Sequence, residues 1–228
     1  MLAAWAAFCG GPLLAYLGVV PALVGFLVFA LGGGLGLVAL VAGVVALIRG
    51  RAAVPSLVAA LGLTIAFVVL AFPGRHYPRI NDITTDPANP PQFVFALSLP
   101  ANQGRDMTYP GKTFADQQVA AYPDLGPFII GGLSPDEAFT RVEATARKMP
   151  GWDVTRVDPA SRRLEGVATS GIFRFQDDIV VEVRARDGGS VIQVRSKSRD
   201  GKGDLGANAR RIQDFFAQLR WTGPAAGK

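Results

Sequence analysis

From residue 2 to residue 48 the chain passes 47 positions without one charge. Arg49 and Arg51 interrupt, and a second uncharged run follows over residues 52–73. Then the texture changes. Prolines crowd residues 74–133, and from residue 134 apolar positions recur first at helical and then at strand spacing. The pattern predicts an apolar membrane segment, an extended middle stretch and a regular water-facing domain.

A bilayer core of about 30 Å needs about 20 helical residues to cross. A 47-residue helix would run about 70 Å, so the first stretch must fold back into two spans. The preferred break lies between Gly10-Gly11-Pro12 and Pro21, where turn residues flank an interfacial Tyr16; Gly32-Gly33-Gly34 is the other option. Residues 52–72 form the third span. Residues 1–73 are therefore expected to be a transmembrane region of three helices. Arg49-Gly50-Arg51 between spans two and three marks the cytoplasmic side. That places the large C-terminal domain outside, in the periplasm of a bacterial inner membrane, with the lipid bilayer as the first partner. Arg75 and Arg79 weigh weakly the other way.

A secretion signal would need a basic leading region, which is missing here. Cys9 is the only cysteine, so no disulfide and no thiolate zinc site can form within the chain. His76 is the only histidine and reads as an interfacial side chain. No cofactor and no metal is expected.

Residues 74–133 hold eight prolines and read as an ordered extended segment that wraps the domain behind it. Residues 134–221 form the α+β core, and 222–228 a flexible tail. The core opens with Ser134 as N-cap, Pro135 at the first helical position and Glu137 completing a capping box. Phe139, Val142, Ala146 and Met149 share one face of that helix. Four strands follow, the last two joined by Asp187-Gly188-Gly189, a hairpin signal. A closing helix from about residue 204 to 219 carries Leu205, Ile212, Phe215, Phe216 and Leu219 on its apolar side. The expected fold is a two-layer α/β sandwich: helix, four-stranded antiparallel sheet, helix, with both helices on one face. Alternation turns Ile179, Val181, Val183, Ile192 and Val194 toward the helices. Glu182, Arg184, Arg186, Gln193, Arg195, Lys197 and Arg199 line the opposite, basic face, read as solvated.

The stretches "INDITTDPANPP", "FRFQDD" and "RSKSRDGKGDLGANARRI" resemble the family named domain of unknown function 1499, over roughly residues 80–219. Arg195, Ser196, Ser198, Arg199, Gly201, Asp204, Gly206, Asn208, Arg211 and Ile212 follow that family's pattern in order. Bacterial members often carry hydrophobic spans ahead of the domain. The resemblance implies a domain type and no activity.

Two constellations stand out as candidate sites. Ser198, Asp204, Asn208 and Arg211 sit at a strand-to-helix junction. They read first as a hydrogen-bonded lock with Asp204 as helix cap, and second, with Arg195 and Arg199, as an anion site on the glycine turn. Asp82, Asp86, Asp177 and Asp178 could bind a hard cation or act as acid and base, or serve turns. If Asp82 or Asp86 meets Arg195, Arg199 or Arg211, the pair becomes a clasp between wrap and core. Residues beyond 73 carry a net charge of only +3 and no aromatics among the basic positions, so nucleic acid is not an expected partner.

The resulting expectation is a periplasmic, non-catalytic domain that binds a protein partner, an anionic lipid or a small ligand through the sheet face or the glycine turn. The alternatives are a hydrolase using Asp82, Asp86, Asp177 or Asp178 with Arg199, and an accessory subunit. In the last case Gly32, Gly33, Gly34, Gly36 and Gly43 would let other membrane proteins approach closely.

Overall fold

The computed structural model describes residues 1–51, 53–71 and 77–221. Expectations for Arg75, His76, the end of the third apolar run and the 222–228 tail lie outside the described residues. The chain forms two compact units, one of the N-terminal helices together with Ser170–Phe175, the other of the remaining polar portion.

The first unit contains α1 (Leu2–Tyr16), α2 (Ala22–Ile48) and α3 (Val54–Ala71). The chain turns back at residues 17–21, inside the preferred window. Gly10, Gly11 and Pro12 remain helical within α1, and the Gly32–Gly34 run passes through α2 without a break. α2 and α3, with 27 and 18 residues, are long and apolar enough to cross a membrane; α1 has 15. At about 1.5 Å per residue α1 covers only about 22 Å, less than a full span.

The helices touch through glycines. A Cβ at Gly32 would lie 2.4 Å from the Phe8 backbone nitrogen, and one at Gly11 would lie 2.4 Å from the Gly25 carbonyl. No other residue permits α1 and α2 to approach so closely. Gly33 and Gly36 face Phe67 and Leu63 of α3, and Gly43 faces Leu57. Four of the five glycines considered for outside partners are thus committed within the chain. Gly34 has open space around it.

In the second unit, the helix predicted from Ser134 is α5 (Pro135–Ala146). Both capping-box hydrogen bonds are present, Glu137 N–H to Ser134 Oγ at 3.4 Å and Ser134 N–H to Glu137 Oε2 at 2.9 Å. The four predicted strands are β3 (Trp152–Asp158), β4 (Arg163–Thr169), β5 (Gln176–Arg186) and β6 (Gly189–Ser198). The closing helix is α6 (Ala207–Trp221), which starts later than expected. Leu205, assigned to its apolar face, instead sits in the preceding turn with φ +52° and is exposed.

The proline-rich stretch is more regular than its composition suggests. It contributes β1 (Asp82–Thr84), α4 (Lys112–Ala121) and β2 (Phe128–Gly131). The sheet therefore runs β1-β6-β5-β4-β3, fully antiparallel, with β2 sharing the β6 edge with β1. β1 pairs with the end of β6 and β2 with its start. These short strands satisfy an edge the four-strand reading left open.

One face of the sheet packs as predicted. Ile179, Val181, Val183, Ile192 and Val194 join Phe139, Val142, Ile212 and Phe215 in a single buried cluster under α5 and α6. The middle of the other face is not solvated, although Arg184 and Arg186 at its end stay exposed. Phe93, Ala96 and Met107 of the wrapping segment cover Val180, and Glu182, Gln193, Arg195 and Lys197 are buried. What is corrected is the solvated reading of this face: residues of the wrapping segment lie over its middle. Alternation identified the polar face, but the segment that covers it is remote in sequence.

Candidate functional site

The candidate residues fall into three charge clusters and one turn. Register creates the first cluster. β1 lies antiparallel to β6, with Asp82 opposite Lys197 and Thr84 opposite Arg195. The Arg195 guanidinium donates through Nε and Nη2 to the two Asp82 oxygens, each at 2.8 Å. Lys197 Nζ adds a third contact to Asp82 at 2.9 Å. Arg195 is 0% exposed. Its remaining donors reach the carbonyls of Pro91 (3.2 Å) and Met107 (2.8 Å), both in the wrap. The rings of Phe93 and Tyr109 flank it at 4.8 and 5.6 Å. Burial, and then the Asp82 charge, push the Tyr109 hydroxyl up to about 12.

Asp178 organises the second cluster. It accepts from Arg199 Nη2 at 2.7 Å and from Arg105 Nη1 at 3.1 Å. Arg105 also donates to the Ser198 carbonyl at 2.7 Å, joining wrap to strand a second time.

The third cluster is the strand-to-helix lock. Asn208 is fully buried and its amide is fully used. Its Oδ1 accepts from the Ser196 hydroxyl (2.6 Å) and from Arg211, while its Nδ2 donates to Ser198 Oγ (2.9 Å) and more distantly to the Asn81 carbonyl. Arg211 closes the set on Asp177. Asp204 accepts the backbone N–H groups of Gly206 and Asn208, both at 2.9 Å. An anion on the glycine turn would need those same donors, and Asp204 already holds them.

Asp86 stands apart. It accepts the Asn89 N–H at 3.0 Å in a turn and Gln193 Nε2 at 2.6 Å. Asp82, Asp86, Asp177 and Asp178 therefore do not converge on one cleft. Each is held by its own partners. Two expectations of local structure are also corrected: Asp82 lies in a strand rather than a turn, and Asp177 and Asp178 lie inside β5.

Sequence reasoning missed Glu165. It sits mid-strand in β4 at 2% exposure. Its carboxylate accepts three successive backbone N–H groups of the wrap: Val94 at 2.8 Å, Phe95 at 3.0 Å and Ala96 at 2.7 Å. This is an anion nest filled from within the chain. The available signal was an acidic residue amid the buried alternation of β4, next to the helix-facing Leu164. An open depression of about 320 Å³ lies beside it, bounded by Phe95, Arg156 and Arg163.

One pH effect follows from Asp204. Burial raises its carboxyl above the ordinary range, and the hydrogen bonds from Asn208 and Gly206 offset this only in part; Asp177 adds to the rise. A raised native value means the folded state binds the proton more tightly. The stability this contributes is complete at low pH and is lost as pH rises through the native value. Asp204→Asn keeps a capping acceptor and removes the titration. The stability difference between wild type and this variant should therefore shift against wild type as pH rises through the acidic range. Asp204→Ala should cost about 0.5–2 kcal/mol near neutral pH. Parallel denaturant titrations at several pH values check both; a pH-independent difference for the Asn variant would contradict the assignment.

A family model described as "Protein of unknown function (DUF1499)" matches residues 82–219, which is more than half of the chain. No curated protein matches it.

Proposed function

The chain belongs to the DUF1499 family of proteins of unknown function, and on that premise we propose that it is a membrane-anchored binding module rather than a catalyst. α2 and α3 are the anchor, each apolar and long enough to cross a bilayer. Arg49 and Arg51 in their connecting loop favour a cytoplasmic loop, with the domain on the periplasmic side of a bacterial inner membrane.

One observation carries the non-catalytic reading. The acidic and basic groups that could supply acid–base chemistry neutralise one another: Asp82 with Arg195 and Lys197, Asp178 with Arg199 and Arg105, Asp177 with Arg211. A catalytic pair works instead when carboxylates meet in an open cleft with strongly displaced pKa values. The clusters tie the wrap and α6 to the sheet, which supports a rigid platform. The partner is a protein of the cell envelope or an anionic lipid. With the central sheet face covered, it would meet exposed surface such as Arg184, Arg186 and the turn at Gly201-Lys202.

Crosslinking in native membranes, followed by affinity recovery and analysis of protein and lipid from one sample, tests this reading. The expected result is one enriched protein or anionic lipid class, lost when Arg184 and Arg186 are changed to Ser. Recovery of the chain alone in bulk lipid would end the binding-module reading.

A further inference from the structure

We infer that the loop joining β4 to β5, residues 170–175, is a bilayer-contacting element that enters the membrane interface beside α2 and α3. This rests on the proposed membrane anchorage. The loop reads Ser-Gly-Ile-Phe-Arg-Phe, three large apolar side chains with one arginine, at the tip of a hairpin whose strands are rich in charge. A water-facing hairpin tip is ordinarily built from Gly, Asn, Asp and Ser.

Ser170–Phe175 groups with the apolar helices, not with the sheet that supplies its two ends. The Phe173 ring packs against Phe26 at 5.4 Å and Phe29 at 5.5 Å, and Phe175 meets Phe26 at 6.1 Å. Phe29 in turn meets Phe67 of α3 and Phe8 of α1.

Helix length supplies the depth. α2 has 27 residues, which is about 40 Å and some 10 Å more than the hydrocarbon core. Phe26 and Phe29 lie within the first two turns, and Phe29 is about 10 Å from the helix start. With the excess shared between both ends, the boundary between headgroups and acyl chains lies about 5 Å from the helix start, at the level of Phe26, and Phe29 lies about 5 Å deeper. A ring packed at these levels contacts lipid on its open side. Ile172 is 61% exposed next to Phe173, a poor arrangement in water and a favourable one in lipid. Arg174 can extend its guanidinium toward the phosphates while its stem stays apolar.

The test uses the full chain in lipid vesicles. Cys9 is the only cysteine and is exposed, so Cys9→Ser provides a background for single labels. An environment-sensitive fluorophore is placed at Ile172→Cys. Val38→Cys on the exposed face of α2 serves as membrane control, and Lys112→Cys on α4 as water control. The label at 172 should lose fluorescence in vesicles of lipids brominated near the headgroup and resist aqueous iodide. The label at 38 should respond to bromines deeper in the chains, and the label at 112 to iodide alone. If 38 responds to brominated lipid while 172 responds only to iodide, the loop inference falls and the anchorage stands. If neither responds to brominated lipid, both fall.

Discussion

Asp82→Ala lowers the stability of the folded domain by about 3–5 kcal/mol, the cost expected when a buried ion pair loses one partner and the other charge remains inside. Asp82 and Arg195 are each 0% exposed, and Lys197 is nearly as buried. Removing the carboxylate strands two cations at once. The reverse change, Arg195→Met, leaves Asp82 paired with Lys197 and replaces the guanidinium stem with an apolar chain beside Phe93. It forfeits the donors to the Pro91 and Met107 carbonyls, which are neutral groups and cheaper to leave than a charge. Asp82→Ala should therefore cost more than Arg195→Met in denaturant titrations of detergent-solubilised protein. Equal losses, or a loss below about 1 kcal/mol for Asp82→Ala, would show that solvent reaches this cluster and that the clasp contributes little.

The second large effect is expected at Glu165. Glu165→Ala withdraws one acceptor group from three consecutive N–H donors of the wrap, of which that of Ala96 is buried and those of Val94 and Phe95 are partly so. The buried Ala96 N–H carries most of the cost and the other two donors can turn to water, so the loss is about 1–3 kcal/mol. Glu165→Gln should fall between, because its single amide oxygen can still accept while its NH₂ faces a donor. Limited trypsin digestion supplies an independent readout. Arg105 lies in the wrap and is itself pinned to Asp178 and the Ser198 carbonyl, so cleavage after it reports detachment of the segment. Glu165→Ala should speed this cleavage while α5, capped locally by Ser134, stays protected. Unchanged cleavage with unchanged stability would mean that the three N–H groups find water as readily as the carboxylate.

Both predictions concern contacts between residues about 70 to 115 positions apart, and that separation explains what could be read in advance. The lock at Asn208 was legible because its members lie within about one strand and one helical turn of each other. Asp204 caps its own helix, and Ser196 and Ser198 point inward by alternation alone. The Asp82–Arg195 clasp was legible only as a conditional, since no local rule brings residue 82 to residue 195. At Glu165 the acidic position was visible, but not the backbone amides that meet it. A carboxylate on the polar face of a strand has the same local pattern whether water or backbone amides meet it.

Elements that depend on near neighbours could be read from the residues alone. These are the apolar runs, the capped α5, the four core strands, and the split of the sheet into an apolar and a basic face. Hydrophobic periodicity, caps and turns act over a few residues, and their signals survive without a fold. What covers the basic face emerges only when distant segments meet. The edge of β6 had unpaired backbone groups that β1 and β2 could satisfy, and Arg195, Lys197 and Arg199 had charges that Asp82 and Asp178 could neutralise. Once the wrap is docked, Arg195 and Lys197, which read in one dimension as part of a solvated surface, become interior, while Arg184 and Arg186 stay exposed. A buried charge is tolerated only where its counter-charge arrives with it.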